Sequence, residues 1–387
     1  MITTLAIANY RSIRELVIPL GQLNVITGAN GSGKSSLYRA LRLLALAAQG
    51  RLIASLAGEG GLQSTLWAGP ETISRSVRQG IHPVQPTRRT EPVNLKLGFS
   101  TKLLGYAIDL GLPSPSTSMF SSDPAIKREC IWSGELLRPA ATLVDRRNWV
   151  VQTRSANGSW QQMSASLSPF DSMLAELADP SAAPEMLVLR EQIRSWRFYD
   201  NLRADVHAPA RQIQIATHAP VLTSNGSSLA ATWQTIRETG EADALDDTVS
   251  DAFPGAKVRV QQVGNGMEIV MWQHGLLRPL RAAELSEGTL SYLLCIAALL
   301  SPRPPGLMVL NEPETSLHPD LLPALARLII KASSHSQIVV VSHSTRLVAA
   351  LEREGDGVTM MLEKEHGETL VPGLHALARP AWRWPKR

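Results

Sequence analysis

Cysteine is almost missing from the 387 residues: Cys130 and Cys295 stand far apart and in no paired pattern. A disulfide framework and a thiolate zinc site are thereby excluded, and a reducing compartment is the expectation. Charge is sparse as well. Charged residues make up 19% of the chain, and neither sign gathers in a long block of the kind that marks an acidic or basic arm. The net charge of +4 permits contact with nucleic acid without arguing for it, because a dedicated binder carries a concentrated basic stripe. Long apolar runs are also lacking. The longest, LLCIAALL at residues 293–300, is about half a membrane span. The opening MITTLAIANYRSIRELVIPL has neither the basic start nor the apolar centre of a signal peptide. A soluble cytoplasmic protein without membrane contact is expected.

What is present is alternation. The apolar content of 44% is ample for a core in one large domain or two. Short β-type runs (TLAIANY, ELVIPL, LNVIT) open the chain. The last enters GANGSGKSS and then a helical segment, SLYRALRLLALAAQG, which stops at Gly50, a residue suited to the position just past a helix end. Residues 81–92, with Arg88 and Arg89, and residues 113–124 are rich in Pro, Ser and Thr and read as loops. Around them VNLKLGFS, YAIDLGL, TLVDR and NWVVQTRS read as antiparallel strands, with a turn at Asn157-Gly158 and Arg146-Arg147 as solvated loop charges. Residues 171–250 read as helical (MLAELA, APEMLVLREQIRSWRFYDNL, LAATWQTIRETG), and KVRVQQV and MEIVMW then form a hairpin. In the last third a helix SYLLCIAALL precedes strand LMVL, helix DLLPALARLIIKAS, strand QIVVV and helix TRLVAALER. Strands followed by helices at this spacing predict parallel α/β packing, so two α/β ends flank a mixed insertion.

The most specific signal is GANGSGKS, Gly28 to Ser35, which fits G-x-x-x-x-G-K-[ST] between an apolar strand and a helix. Its glycines let backbone N–H groups wrap a phosphate chain. Lys34 supplies a point charge to the β- and γ-phosphates, Ser35 a hydroxyl to Mg²⁺, and the following helix its positive end. Further on, LSEGT (285–289) opens a helix, where Ser286 and neighbouring N–H groups form either a second anion-binding end or an ordinary helix start. The strand LMVL runs into Asn311-Glu312-Pro313, and QIVVV ends in Ser342-His343-Ser344, where a histidine just past a strand end can reach a γ-phosphate.

In this order GANGSGKS, LSEGT, LNEPETSLHP and VVVSHS resemble the ABC-type ATPase heads of the RecF, SMC and OLD group. More narrowly, the chain resembles the compact bacterial ATPases grouped as RecF-like or AAA-family, to which NYRSI, WRFYDNLR and LTSNGSSLAATWQTI are also similar. The resemblance implies an α/β P-loop NTPase of the ABC-ATPase head type, with a mixed β/helical insertion between the Walker A and signature motifs. Residues 1–112 would be the N-terminal part of the head, 113–275 the insertion and 276–387 the C-terminal part. It also implies that ATP and Mg²⁺ bind through Gly28, Ala29, Asn30, Gly31, Ser32, Gly33, Lys34, Ser35 and Ser36. Glu312 would be the catalytic base, acting with Lys34, and His343 the γ-phosphate sensor. Ser316 to His318 would form the loop after the base, and Asn311 would hold the metal through water. Such heads pair head-to-tail on ATP, so that Ser286 and Gly288 serve the partner's nucleotide. Gln63 in GGLQSTLWAG is the candidate for the glutamine loop.

Three departures qualify the resemblance. No heptad stretch is long enough for an SMC-type coiled-coil arm, and too little sequence follows His343 for the nuclease domain of OLD-type proteins. The third is Asn311, which stands where an aspartate is usual. An amide oxygen accepts the same hydrogen bonds from metal-bound water but lacks the charge. Slow hydrolysis with a raised Mg²⁺ requirement is expected, because Glu312 is intact. The ATPases that the chain resembles can carry the same N-E-P-E motif.

Two outputs stay open from the sequence. One is an ATP-driven dimer coupled to DNA in repair or recombination. The other is a regulatory or defence ATPase that switches a protein partner. NYRSI and the long gap before LSEGT count against a transporter motor. The tail ARPAWRWPKR could grip phosphates and stack bases through Arg379, Arg383, Lys386 and Arg387 with Trp382 and Trp384. Packing of its tryptophans onto the head is the favoured alternative. The histidines show no metal-ligand spacing, so Mg²⁺ is the metal expected.

Overall fold

A computed structural model describes residues 1–70, 93–113, 117, 119–120, 122–155, 157–177, 179–200, 202–374 and 378–386. The loop expected at 81–92, with Arg88 and Arg89, lies outside the described residues, as do parts of 113–124 and Arg387. The chain divides into two compact units, neither continuous in sequence. The first comprises Met1–Gly21, Gly28–Trp196 and Met360–Arg387, and the second Gln22–Thr27 with Arg197–Thr359.

The first unit is built on an antiparallel sheet. Its strands are β1 (Ile2–Tyr10), β2 (Ile13–Pro19), β4 (Leu95–Thr101), β5 (Leu104–Gly111), β6 (Ala125–Ser133), β7 (Thr142–Arg147), β8 (Val150–Arg154) and β9 (Trp160–Ser164), in the spatial order β2-β1-β4-β5-β6-β7-β8-β9. Strands on both sides of residue 113, where the resemblance would begin the insertion, thus belong to one sheet. β6 and β9 carry charged and amide residues at positions that blur alternation, which is why the sequence pattern did not show them.

Arg146 corrects the expectation of a solvated pair. It lies opposite Glu129 in the β6–β7 register, and the two fully buried side chains form an ion pair of 2.9 Å. Glu129 also accepts from the Tyr106 hydroxyl at 2.7 Å and the Met173 amide at 2.8 Å. A buried pair of charges persists only when its remaining lone pairs are satisfied in this way. Arg147 stays exposed beside Asp145. The tail behaves as the favoured alternative has it. Trp382 packs edge-on against buried Trp132 with ring centroids 5.5 Å apart, and Trp384 against Trp382 at 5.3 Å.

The second unit holds parallel strands β10 (Arg197–Tyr199), β15 (Leu307–Asn311), β16 (Gln337–Val341) and β3 (Leu23–Gly28, up to Thr27), adjacent in that order. The helix Leu322–Ser333 connects β15 to β16, and Thr345–Glu354 follows β16. Helix Glu287–Leu299 is buried at every position from Leu290 to Leu299, as an apolar run without amphipathic spacing requires. Strands β11 (Gln214–Ile215), β13 (Gly266–Trp272) and β12 (Lys257–Val263) form a small antiparallel sheet, with β14 (Leu280–Arg281) on β13. The helical reading of residues 183–202 needs correcting. The helix ends at Arg194, and Arg197–Tyr199 adds an edge strand to β15, because Tyr199 is buried where a β-favouring aromatic packs well. In the first unit, β17 (Val358–Glu365), from Met360 on, and β18 (Glu368–Leu370) close a hairpin through Glu365↔Glu368.

Candidate functional site

In the first unit, the segment after β3 forms the expected loop, and helix Lys34–Ala47 follows it. Gly31 and Gly33 have φ of 79° and 110°, a region that costs other residues about 1–2 kcal/mol. Glycine is required at Gly33 on a second ground: a Cβ there would collide with the Thr369 side chain of β18. Thr369 Oγ1 donates to the Ser32 carbonyl at 2.8 Å and lies 2.8 Å from Ser12 Oγ in the NYRSI turn. The NYRSI segment and β18 therefore prop the loop from behind. Thr369 carries no motif signal, and the sequence reading missed it.

Lys34 is 7% exposed, and its ammonium donates to the carbonyls of Gly28 at 2.6 Å and Ala29 at 3.1 Å. Among the described residues no carboxylate pairs with it. A buried cation held only by neutral carbonyls is costly until an anion approaches, and its third N–H is free to donate. Ser32 Oγ is buried without a hydrogen-bond partner. Helix Lys34–Ala47 has no side-chain cap and no acid in its first turn, which leaves its N–H groups available to an anion. Ala29, Asn30, Gly31 and Ser35 are exposed, while Ser36 is buried. These residues fit a polyphosphate, and the hydroxyl oxygen of Ser35 suits a hard cation such as Mg²⁺. Gln63 is exposed on the short helix Gly61–Thr65.

In the second unit, register gathers the other candidates. Asn311 pairs with Val341, and Val341 with Ile26, so the carboxyl ends of β15, β16 and β3 are level. Ligands of parallel sheets bind at such ends. The chain continues from Ile26 into the phosphate loop, from Val341 into Ser342-His343 and from Asn311 into Glu312. Glu312 donates its N–H to Val341 O at 2.7 Å and takes φ of 50°. His343 Nδ1 lies 3.5 Å from Glu312 Oε1 and also 3.5 Å from Glu314 Oε1. Glu312 and His343 are thus brought together at a half-exposed surface, whereas Glu314 beneath them is buried. Glu314 is the other residue that sequence reasoning missed. Asn311 and Glu312 line a cavity with Tyr199, Ser291 and Cys295.

Ser286 caps helix Glu287–Leu299, accepting from the Thr289 N–H at 3.2 Å. Its cap opens on a groove shared with Gly288 and the Ser316–Leu321 segment. A Cβ on Gly288 would stand 2.8 Å from the Ser316 carbonyl, so glycine permits this close approach. Among the described residues no helix is long and apolar enough to cross a membrane.

The fold is similar to "SmcHead bound to the C-winged helix domain of ScpA", at 13% identity and a TM-score of 0.51 over 96% of this chain and 97% of that one. The SMC head domain of Thermotoga maritima gives 14% identity and a TM-score of 0.49 over 96% and 97%. At such identities the likeness concerns the fold, which is that of SMC-type ABC ATPase heads, a P-loop NTPase architecture. A 51-residue stretch is 49% identical to an uncharacterized protein of Methanocaldococcus jannaschii, covering 13% of this chain and 23% of that protein. One family profile, described as "AAA domain, putative AbiEii toxin, Type IV TA system", matches residues 23–349. A match that extends from the strand before the phosphate loop to the helix after His343 places the chain in this family of AAA-type ATPases.

Proposed function

We propose that the chain binds ATP on residues 28–36 and hydrolyses it slowly, using the energy of nucleotide binding as a clamp or switch. The observation that supports this most directly is the buried Lys34 ammonium, without an acidic partner among the described residues, in a loop where glycine is sterically required at Gly33. In this reading Lys34 and the loop N–H groups hold the β- and γ-phosphates, Ser35 would ligate Mg²⁺, and Asn311 would hold it through water. Mg²⁺ when bound neutralises developing phosphate charge. Glu312 orients and deprotonates the attacking water, and His343, beside it, senses the γ-phosphate. Ser286 and Gly288 serve the nucleotide of a second copy, giving an ATP-dependent head-to-tail homodimer.

The output of the cycle follows from likeness, a weaker warrant than site chemistry. Coupling to DNA in repair or recombination is the first reading. The second is a defence or regulatory switch acting on a protein partner, and it has specific support. The family's description refers to a toxin–antitoxin system, and Trp382 and Trp384 are engaged with Trp132 rather than presented for base stacking. ATP turnover with and without DNA, in wild type, Lys34→Ala and Glu312→Gln, tests both. Lys34→Ala loses nucleotide binding, and Glu312→Gln binds ATP and accumulates as a dimer on size exclusion. Normal hydrolysis by Glu312→Gln would refute the assigned base. If no DNA binds at low salt with ATP present, the first output is dropped.

A further inference from the structure

Glu314 is 8% exposed, yet three donors converge on one of its oxygens. Oε1 accepts from the Ser342 hydroxyl at 2.6 Å, the His343 N–H at 3.1 Å and the Ser344 N–H at 3.2 Å. All three belong to the turn in which β16 gives way to helix Thr345–Glu354. Ser342 Oγ accepts in addition from the Ser344 N–H at 3.0 Å, and Ser344 caps the helix through the Leu347 N–H at 3.3 Å. The other oxygen of Glu314, Oε2, is buried with no hydrogen-bond partner.

A carboxylate buried on these terms is a poor stabiliser, because apolar packing at the same place is often neutral or better. What it supplies is geometry. Charge-assisted bonds to successive backbone N–H groups at a helix start fix a turn more tightly than neutral ones do. The turn so fixed carries His343, whose Nδ1 stands 3.5 Å from both Glu312 and Glu314.

We propose that Glu314 is a positioning residue: it clamps the Ser342–Ser344 turn through the backbone of His343 and thereby sets the imidazole against the Glu312 carboxylate. The proposal rests on the reading of Glu312 and His343 given above. It also gives the second acid of the N-E-P-E motif a role separate from the first, one acting on water and the other on the histidine.

The full chain is tested as wild type, Glu314→Ala, Glu314→Gln, His343→Ala and the double alanine variant. In nucleotide-free protein, amide exchange at His343 and Ser344 rises by about tenfold or more in Glu314→Ala and stays within about threefold of wild type in Glu314→Gln, which keeps an acceptor. Turnover falls by about tenfold or more in Glu314→Ala while ATP affinity stays within about twofold. In the His343→Ala background the Glu314→Ala change costs nothing further, because one residue acts through the other. Losses that multiply would show an independent role and overturn the proposal, as would unchanged exchange in Glu314→Ala. Should Glu314→Ala fail to fold, Glu314→Gln decides: a loss of turnover as deep as that of His343→Ala overturns the acceptor argument. A wild type without ATP turnover defeats the ATPase reading instead, and the exchange measurement still reports whether Glu314 holds the turn.

Discussion

Lys34 Nζ donates to Gly28 O at 2.6 Å, so the cation of the phosphate loop is tied to the residue at which the loop begins. The contact pre-orients the ammonium and limits the rotamer entropy lost when a phosphate arrives. Lys34→Ala is expected to weaken ATP binding by about a hundredfold or more with the melting temperature little changed, because the buried charge is itself costly. Titration with a fluorescent ATP analogue and a thermal melt check both halves.

Gly33 makes a harsher test of the same loop. Its φ of 110° and the Thr369 side chain facing it leave no room for a methyl group. Gly33→Ala is expected to cost more than about 2 kcal/mol of stability and to remove nucleotide binding. Adding Thr369→Ala should restore part of the stability, since it relieves the collision but not the backbone strain. Urea unfolding of the single and double variants separates the two contributions.

Asn311 sits level with Val341 at the strand ends, where a carboxylate would add charge beside Mg²⁺ if it binds as proposed. Asn311→Asp is expected to lower the Mg²⁺ concentration for half-maximal ATP turnover by roughly threefold to tenfold. A Mg²⁺ titration of turnover in both proteins measures this. Unchanged rate and unchanged Mg²⁺ dependence would show that the amide has no special role.

The two cysteines give a pH-based test. Burial, and then the Glu314 charge, pushes the Cys295 thiol up to about 12. Burial and then Asp145 do the same for Cys130. The thiolate is the nucleophile, and at pH 8 both groups lie far below their folded pKa. Iodoacetamide at that pH should label neither in the native protein and both in guanidinium, as read by mass spectrometry. Native labelling of Cys295 would show that the cavity floor beside Asn311 and Glu312 opens readily.

The sequence showed what is encoded locally. Gly28 to Ser35, the strands around it and the helices after Ser286 and Ser344 depend on runs of adjacent residues, and each stands where its pattern places it. Other features depend on partners far along the chain. Arg146 looked like a loop charge because nothing nearby in sequence shows that Glu129 lies opposite it. Arg197–Tyr199 looked like the end of a helix because only β15 makes it a strand. Thr369 and Glu314 are single polar residues whose roles exist only once Ser32 and Ser342 are beside them. Spacing and composition hold no trace of such contacts.

The contact between Thr369 and the Ser32 carbonyl spans 337 residues of chain, and this has a consequence for biosynthesis. On the ribosome the phosphate loop emerges before the hairpin that props it. With chains growing at about 5–20 residues per second, the glycine-rich segment waits many seconds without its support. A chain without the docked β17–β18 hairpin is therefore expected to bind ATP more weakly than one in which Thr369 holds the loop. Ligand stabilisation then favours copies whose hairpin has docked.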